Sequence, residues 1–127
     1  MIKVLKILNH NLTDEQVRAL NELYEEKVVV EELPEEFATF LRNTPADERR
    51  LRREADALVA FIARKGYDAV ILPAGSPAFQ FLFARASEDL SADFLFAHSE
   101  RQVVEKKRPD GSVEKTSTFK FVKWIWL

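Results

Sequence analysis

The hydrophobic pattern of the first thirty or so residues predicts a strand, a helix and a second strand. Residues 2–8 are rich in β-branched and aliphatic side chains, which is typical of a strand. Thr13 and Gln16 have the spacing of a capping box, in which each side chain bonds the other residue's backbone N–H. Apolar residues then recur at helical spacing until about residue 26. Three consecutive valines within residues 27–31 predict a short buried strand, so this stretch forms a βαβ unit.

The pattern then changes to helical spacing in two pieces. Pro34 begins the first piece, which carries three large apolar residues on one side. Thr44 is the predicted cap of the second helix, with Pro45 at its first helical position. Gly66 is placed to end that helix in a left-handed conformation.

Two further strands enclose an aromatic helix. Residues 68–72 contain almost no polar side chain, which favours a central strand covered on both faces. Ser76 as cap and Pro77 as first residue predict a helix that runs to about residue 87. Residues 93–97 are the next predicted strand, which we expect to end at His98 and Ser99.

The C-terminal part of the chain predicts a hairpin. Two extended runs, residues 101–107 and 113–126, flank the turn signal Pro109-Asp110-Gly111. The elements together predict an α/β chain: a Rossmann-like, mainly parallel sheet with flanking helices and an antiparallel hairpin at about residues 100–127. We expect residues 1–127 to form a single domain.

Composition excludes several classes of protein. The 127 residues are 46% hydrophobic and 31% charged, unlike a disordered or membrane-spanning chain. The N-terminus lacks the pattern of a signal peptide, so we expect a cytoplasmic protein. Without cysteine, no disulfide or thiolate chemistry is available. The net charge of −2 argues against bulk DNA binding. Residues 98–127 carry seven Lys/Arg against four acids, which indicates either solvated side chains on an exposed hairpin or a local preference for an anionic ligand.

Candidate chemistry lies where the parallel strands end. In such sheets, ligands bind outside the carboxyl ends of the strands. Both histidines of the chain, His10 and His98, fall in loops predicted there, and histidine is the side chain suited to acid–base work near neutral pH. For each of them the alternative is a structural histidine without a catalytic role. Four predicted loops share this edge: 9–11, 33–34, 74–76 and 98–99.

Gly75 and Ser76 are a second candidate feature. A glycine before a capped helix start presents free N–H groups and the positive end of a helix dipole, which suits a phosphate. The alternative for Ser76 is a plain helix cap. The motif matches neither dinucleotide-binding nor Walker patterns, and it lacks the partners of a hydrolase triad. No cluster has metal-ligand spacing, so we expect no metal and no cofactor.

Several segments, spread in order over the chain, resemble the small ring nucleases of type III CRISPR systems. They are the run Leu8-Asn9-His10-x-Leu12-Thr13-x-x-Gln16, the apolar strand into Gly75 with its helix, Ser99-Glu100-Arg101, and Glu105…Arg108-Pro109-Asp110-Gly111-Ser112-Val113…Phe119-Lys120. The resemblance implies a CARF-like Rossmann fold and a homodimer that binds a cyclic oligoadenylate across its two-fold axis. It also implies cleavage of the ring, cyclic tetra-adenylate, to linear di-adenylate, which switches off the antiviral signal.

The resemblance, together with the predicted loops at the carboxyl edge for Asn11 and His98, assigns roles to eight residues. It implies acid–base or positioning work for His10 and stabilisation of the phosphorane by Arg101. The reaction it implies needs no metal, because a ribose 2′-OH attacks its own phosphodiester. The remaining six residues are expected to bind the ligand: Asn9, Asn11, Gly75, Ser76, His98 and Ser99.

Two alternatives remain open. The family has a histidine near its C-terminus where this chain has Phe121, and the last residues are unusually apolar. A sponge that binds the messenger without cleaving it is therefore the first alternative. The second is a protein-interaction module that uses the aromatic helix from Phe79 to Phe83 and the C-terminal hairpin.

Overall fold

A computed structural model describes residues 1–7 and 9–127 and contains five strands and four helices. The predicted α/β class is confirmed. Leu8, which the sequence pattern placed at the end of the first strand, lies outside the described residues. In chain order the elements are β1 (Ile2–Lys6), α1 (Asp14–Tyr24), β2 (Val28–Glu32), α2 (Glu35–Arg42), α3 (Glu48–Lys65), β3 (Ala69–Leu72), α4 (Pro77–Ala86), β4 (Asp93–Lys107) and β5 (Val113–Trp126).

The strands form one mixed sheet in the order β2-β1-β3-β4-β5. Strands β1 to β4 run parallel to one another, and β5 pairs antiparallel with β4. The chain moves outwards from β1 to β2 on one side and from β3 to β4 on the other. The direction of strand progression therefore reverses between β1 and β3.

Helices cover both faces of this sheet because successive strand residues point to opposite sides. Val4 of β1 packs in a cluster with Leu20 of α1, whereas the adjacent Leu5 packs in a cluster with residues of α2, α3 and α4. All four residues of β3 are buried, which confirms the prediction of a central strand. No helix among residues 1–7 and 9–127 is long and apolar enough to cross a membrane.

Most predicted helix ends are confirmed, but the start of α3 is not. The capping box of Thr13 and Gln16 is present, and Gly66 ends α3 with a φ of 68°. Asp47, rather than Thr44, caps α3 by accepting from the backbone N–H of Arg50 at 3.2 Å. The Thr44 hydroxyl donates instead to carbonyls of the last turn of α2, so the predicted cap was assigned to the wrong helix.

Strand β4 does not end at His98 and Ser99 as predicted. It continues to Lys107, with one irregularity between these two residues, because β5 supplies hydrogen-bonding partners after pairing with β3 stops at Phe96. The predicted edge loop at residues 98–99 is therefore a strand. We call residues 99–121 the hairpin arm; its β4 half extends about 30 Å at ~3.3 Å per residue. Because β4 is parallel to β3, the arm leaves the sheet at the carboxyl edge.

Candidate functional site

A cavity of about 490 Å³ opens at the carboxyl ends of β1, β2 and β3. This is where the strand order reverses, the place at which open α/β sheets bind ligands. The first turn and the last turn of α2 form one wall, and the loop after β3 forms another. The lining residues are Lys6, Ile7, Asn9, His10, Glu32, Leu33, Glu35, Ala38, Leu41, Arg42, Pro73 and Gly75.

The loop after β1 brings two predicted site residues, Asn9 and His10, to this cavity. Both are exposed. The backbone carbonyl of His10 accepts a hydrogen bond of 2.7 Å from the Lys6 ammonium, which ties the loop to the end of β1. The imidazole is thus presented at the cavity by a loop with a defined attachment to the sheet.

The loop after β3 contributes Gly75, whose φ of 71° is one that glycine adopts without steric cost. A Cβ at this position would lie 2.8 Å from Cδ2 of Leu41, so the loop approaches α2 closely. Gln80 accepts from the backbone N–H of Ala74 at 2.5 Å and holds the loop against α4. Ser76 caps α4 by accepting from the backbone N–H of Phe79 at 3.3 Å.

Two ion pairs line the cavity. Nζ of Lys6 lies 3.1 Å from Oε1 of Glu32, and Nη2 of Arg42 lies 2.5 Å from Oε1 of Glu35. The hydrogen bond from Arg42, together with one from Thr39, lowers the pKa of Glu35 below its usual range. The cavity therefore holds two cations, each neutralised by a neighbouring carboxylate.

These charged residues were not among the sequence-predicted site residues. Lys6 stands between apolar residues near the end of the first strand, but so does Lys3, and only the structure shows that the Lys6 side chain is 4% exposed. Glu32, Glu35 and Arg42 also gave no signal in the sequence. Their approach to Lys6 and Gly75 depends on how α2 packs above the sheet.

The sequence places this chain in a family. The model of the family described as Uncharacterized protein MJ1673 family matches residues 2–125. The chain belongs to this family. No curated protein and no solved structure matches it. The description of the MJ1673 family names no activity.

The other predicted site residues of this MJ1673-family chain lie outside the described lining of the cavity. Asn11 is exposed in the loop after β1, and Ser76 follows Gly75 as the helix cap. On the hairpin, His98 pairs with Lys123, and Ser99 pairs with Phe121. Arg101 donates from Nε and Nη2 to the Ser117 hydroxyl across the arm, at 3.2 and 2.8 Å. Within a single chain, Asn9, His10 and Gly75 therefore line the same cavity, whereas the predicted site residues of the hairpin are not among its lining residues.

The aromatic residues of α4 divide between core and surface. Phe79 and Phe83 are each 1% exposed, whereas Phe81 is 61% exposed beside Arg85. Within residues 1–7 and 9–127, no group of three His, Asp or Glu side chains is arranged to hold a metal ion.

Proposed function

We propose that this protein is a ring nuclease that binds a cyclic oligoadenylate, most simply cyclic tetra-adenylate, and cleaves it to linear di-adenylate. In this role it would switch off type III CRISPR signalling in the cytoplasm, where the messenger acts. The observation that carries the proposal is the convergence of His10, Asn9 and Gly75 on one cavity at the point where the strand order reverses. The sequence segments that resemble ring nucleases include all three residues.

The proposed fold assignment, a CARF-like Rossmann domain, is supported by the strand order. An order of β2-β1-β3-β4 with parallel strands and helices on both faces is that of one common group of doubly wound sheets. The antiparallel β5 is an addition at the edge. Such sheets use the loops after β1 and β3 for anionic ligands, and these two loops carry the predicted residues.

A homodimer is part of the proposal because of size and symmetry. The cavity of about 490 Å³ is within the range of ~300–1,000 Å³ for sites that hold one small ligand. A ring of four nucleotides is larger, and its symmetry matches two equivalent half-sites. The hairpin arm supports association, since Phe119 is 74% exposed and Val103 is 57% exposed on the same face of an otherwise isolated two-stranded ribbon.

The proposed reaction is internal transesterification. The ribose 2′-oxygen loses its proton, forms a bond to the adjacent phosphorus, and expels the 5′-oxygen of the next nucleotide, which takes up a proton. Two such cuts yield two linear di-adenylates with 2′,3′-cyclic phosphates and 5′-hydroxyls. His10 would accept or position the proton of the 2′-OH, while Asn9 and the backbone at Gly75 would orient the ribose and phosphate.

The proposal also includes contacts between the ligand and three residues of the hairpin: His98, Ser99 and Arg101. Two further proposed ligand-binding residues, Asn11 and Ser76, lie next to residues that line the cavity. Because the three hairpin residues lie outside the described lining, their part requires the ligand or a second subunit to bring the arm and the cavity together. His98→Ala and Arg101→Ala test this. If cleavage of cyclic tetra-adenylate is unchanged by both substitutions, the site is confined to the cavity.

The decisive experiment incubates the purified protein with cyclic tetra-adenylate in EDTA and, separately, in Mg²⁺, and resolves the products by mass. Di-adenylate with a 2′,3′-cyclic phosphate in both buffers is the expected result, and His10→Ala is expected to lower cleavage about 10²-fold or more while keeping binding. Intact ring that co-elutes with the protein would indicate the sponge. If the protein neither binds nor cleaves cyclic tetra-adenylate or cyclic hexa-adenylate, the proposal is wrong.

The exposed Phe81 and the apolar face of the arm favour the interaction module as the second candidate. This candidate predicts no rise in melting temperature with any cyclic oligoadenylate. By contrast, a ligand at a hundred times its dissociation constant adds about 2.7 kcal/mol to the free energy of unfolding. Thermal unfolding with and without the two rings therefore separates the candidates.

A further inference from the structure

Lys6 combines deep burial with a partner that lies mostly in water. Its side chain is 4% exposed, whereas the side chain of Glu32, its cross-strand neighbour, is 73% exposed. A buried charge needs close compensation, and solvent screens a carboxylate that is largely hydrated. The ion pair at 3.1 Å therefore compensates the ammonium less well than a buried partner would.

The hydrogen bonds of Lys6 lead to the same conclusion. An ammonium group has three donors. One goes to the carbonyl of His10, and Glu32 lies beside the group as its ion-pair partner; among the described residues, the ammonium makes no second hydrogen bond. Since Lys6 lines the cavity, an oxygen atom of a bound anion is the acceptor that its position favours.

A second pair at the rim repeats the arrangement. Arg42 is 46% exposed and its partner Glu35 is 78% exposed, so this pair also lies at the boundary between cavity and water. Exposed ion pairs contribute little to stability, and their side chains separate at small cost. Both carboxylates can turn into solvent and leave their cations to a ligand.

We propose that the cavity is an exchange site for phosphate groups, in which Lys6 is the principal anion-binding residue and Glu32 is its displaceable counter-charge. Arg42 and Glu35 form the same kind of pair at the rim. This inference rests on the proposed function for the choice of a phosphodiester ligand, and it adds the residues that bind its charge. The carboxylates of Glu32 and Glu35 neutralise Lys6 and Arg42 until the phosphates of a ligand take the place of these carboxylates.

The chain offers a matched control pair on the same two strands. Lys3 and Glu31 lie 3.8 Å apart, and Lys3 also donates to the carbonyl of Lys65. Neither residue is among those that line the cavity. Substitutions in this pair change the same charges as those at Lys6 and Glu32 without touching the proposed site.

The test measures binding of inorganic pyrophosphate and of cyclic tetra-adenylate by calorimetry to the wild type and four variants. The variants are Lys6→Met, Glu32→Gln, Lys3→Met and Glu31→Gln. We expect Lys6→Met to weaken pyrophosphate binding about tenfold to a hundredfold, the range for a hydrogen bond to a charged group. Glu32→Gln removes the competing carboxylate and should tighten binding up to about fivefold. The two control variants should match the wild type.

The result for Glu32→Gln decides the inference even if Lys6→Met fails to fold, because Glu32 is largely exposed. Unchanged or weaker pyrophosphate binding in Glu32→Gln would overturn the exchange site, as would equal losses in Lys6→Met and Lys3→Met. If pyrophosphate behaves as expected but the wild type ignores cyclic tetra-adenylate, the exchange site stands and the proposed function fails. If Lys6→Met and Glu32→Gln both bind cyclic tetra-adenylate as tightly as the wild type does, the exchange site fails and the proposed function stands.

Discussion

Gly75→Ala perturbs the loop after β3 in two separable ways. The backbone at Gly75 has a φ of 71°, in the left-handed region, and a new Cβ would lie 2.8 Å from Cδ2 of Leu41. The first effect costs any side chain about 1–2 kcal/mol. The second forces the half-buried Leu41 to move, and because only the end of a flexible side chain is in the way, it costs about 1 kcal/mol.

Gly66 is a matched control for the backbone term alone. Its φ is 68°, and nothing lies within 4 Å of an added Cβ. Gly66→Ala should therefore lower the free energy of unfolding by about 1–2 kcal/mol, and Gly75→Ala by about 2–3 kcal/mol. The loss of unfolded-state entropy on replacing glycine is similar at both sites and cancels in the comparison. Each kcal/mol corresponds to about 4 °C in melting temperature at this chain length.

A double-mutant cycle with Leu41→Ala isolates the contact. Urea unfolding of both single variants and the double variant should give a coupling of about 1 kcal/mol between positions 75 and 41. Leu41 also lines the cavity, so Gly75→Ala is expected to weaken ligand binding, whereas Gly66→Ala is not. Equal destabilisation by the two glycine substitutions, with no coupling to Leu41, would refute the close approach of this loop to α2.

Three further predictions test other parts of the structure. Asp47→Ala should lower the free energy of unfolding by about 1 kcal/mol through loss of the α3 cap, and by more than Thr44→Ala; the opposite order in urea unfolding would restore Thr44 as the cap. Burial and the hydrogen bond to Glu31 raise the pKa of Tyr67 to about 12, above its unfolded value of about 10. The stability that protonated Tyr67 contributes to the folded state is therefore complete below pH 10 and is lost between pH 10 and 12. Between pH 10 and 12 the wild type should lose free energy of unfolding relative to Tyr67→Phe. A difference in the free energy of unfolding between the two proteins that does not change with pH would contradict this. Trp124→Phe should cost about 2 kcal/mol, because Trp124 is buried and its indole N–H donates to the carbonyl of Gln16 at 3.0 Å; a melting temperature equal to wild type would show that β5 is not anchored to α1 there.

The sequence predicted the loop residues of the candidate site, but it did not predict the charged residues that line the cavity. Asn9, His10 and Gly75 were identifiable because they follow predicted parallel strands, whose carboxyl ends share one edge. Arg42 and Glu35 could not be found in this way. They reach the cavity only because α2 packs over the ends of β1 and β2, and helix orientation depends on contacts far apart in the chain.

The sequence alone determined those features that depend on neighbouring residues. The capping box of Thr13, the left-handed end of α3 at Gly66 and the hairpin turn at Gly111 each depend on bonds or backbone angles within a few positions. Only the tertiary structure decided the length of β4 and the burial of Lys6. In both cases a partner distant in the sequence satisfies the group concerned: β5 pairs with β4 beyond Phe96, and Glu32 forms the ion pair with the Lys6 ammonium. Local hydrogen bonds can be recognised from spacing, whereas these partners come together only when the sheet and its helices are assembled.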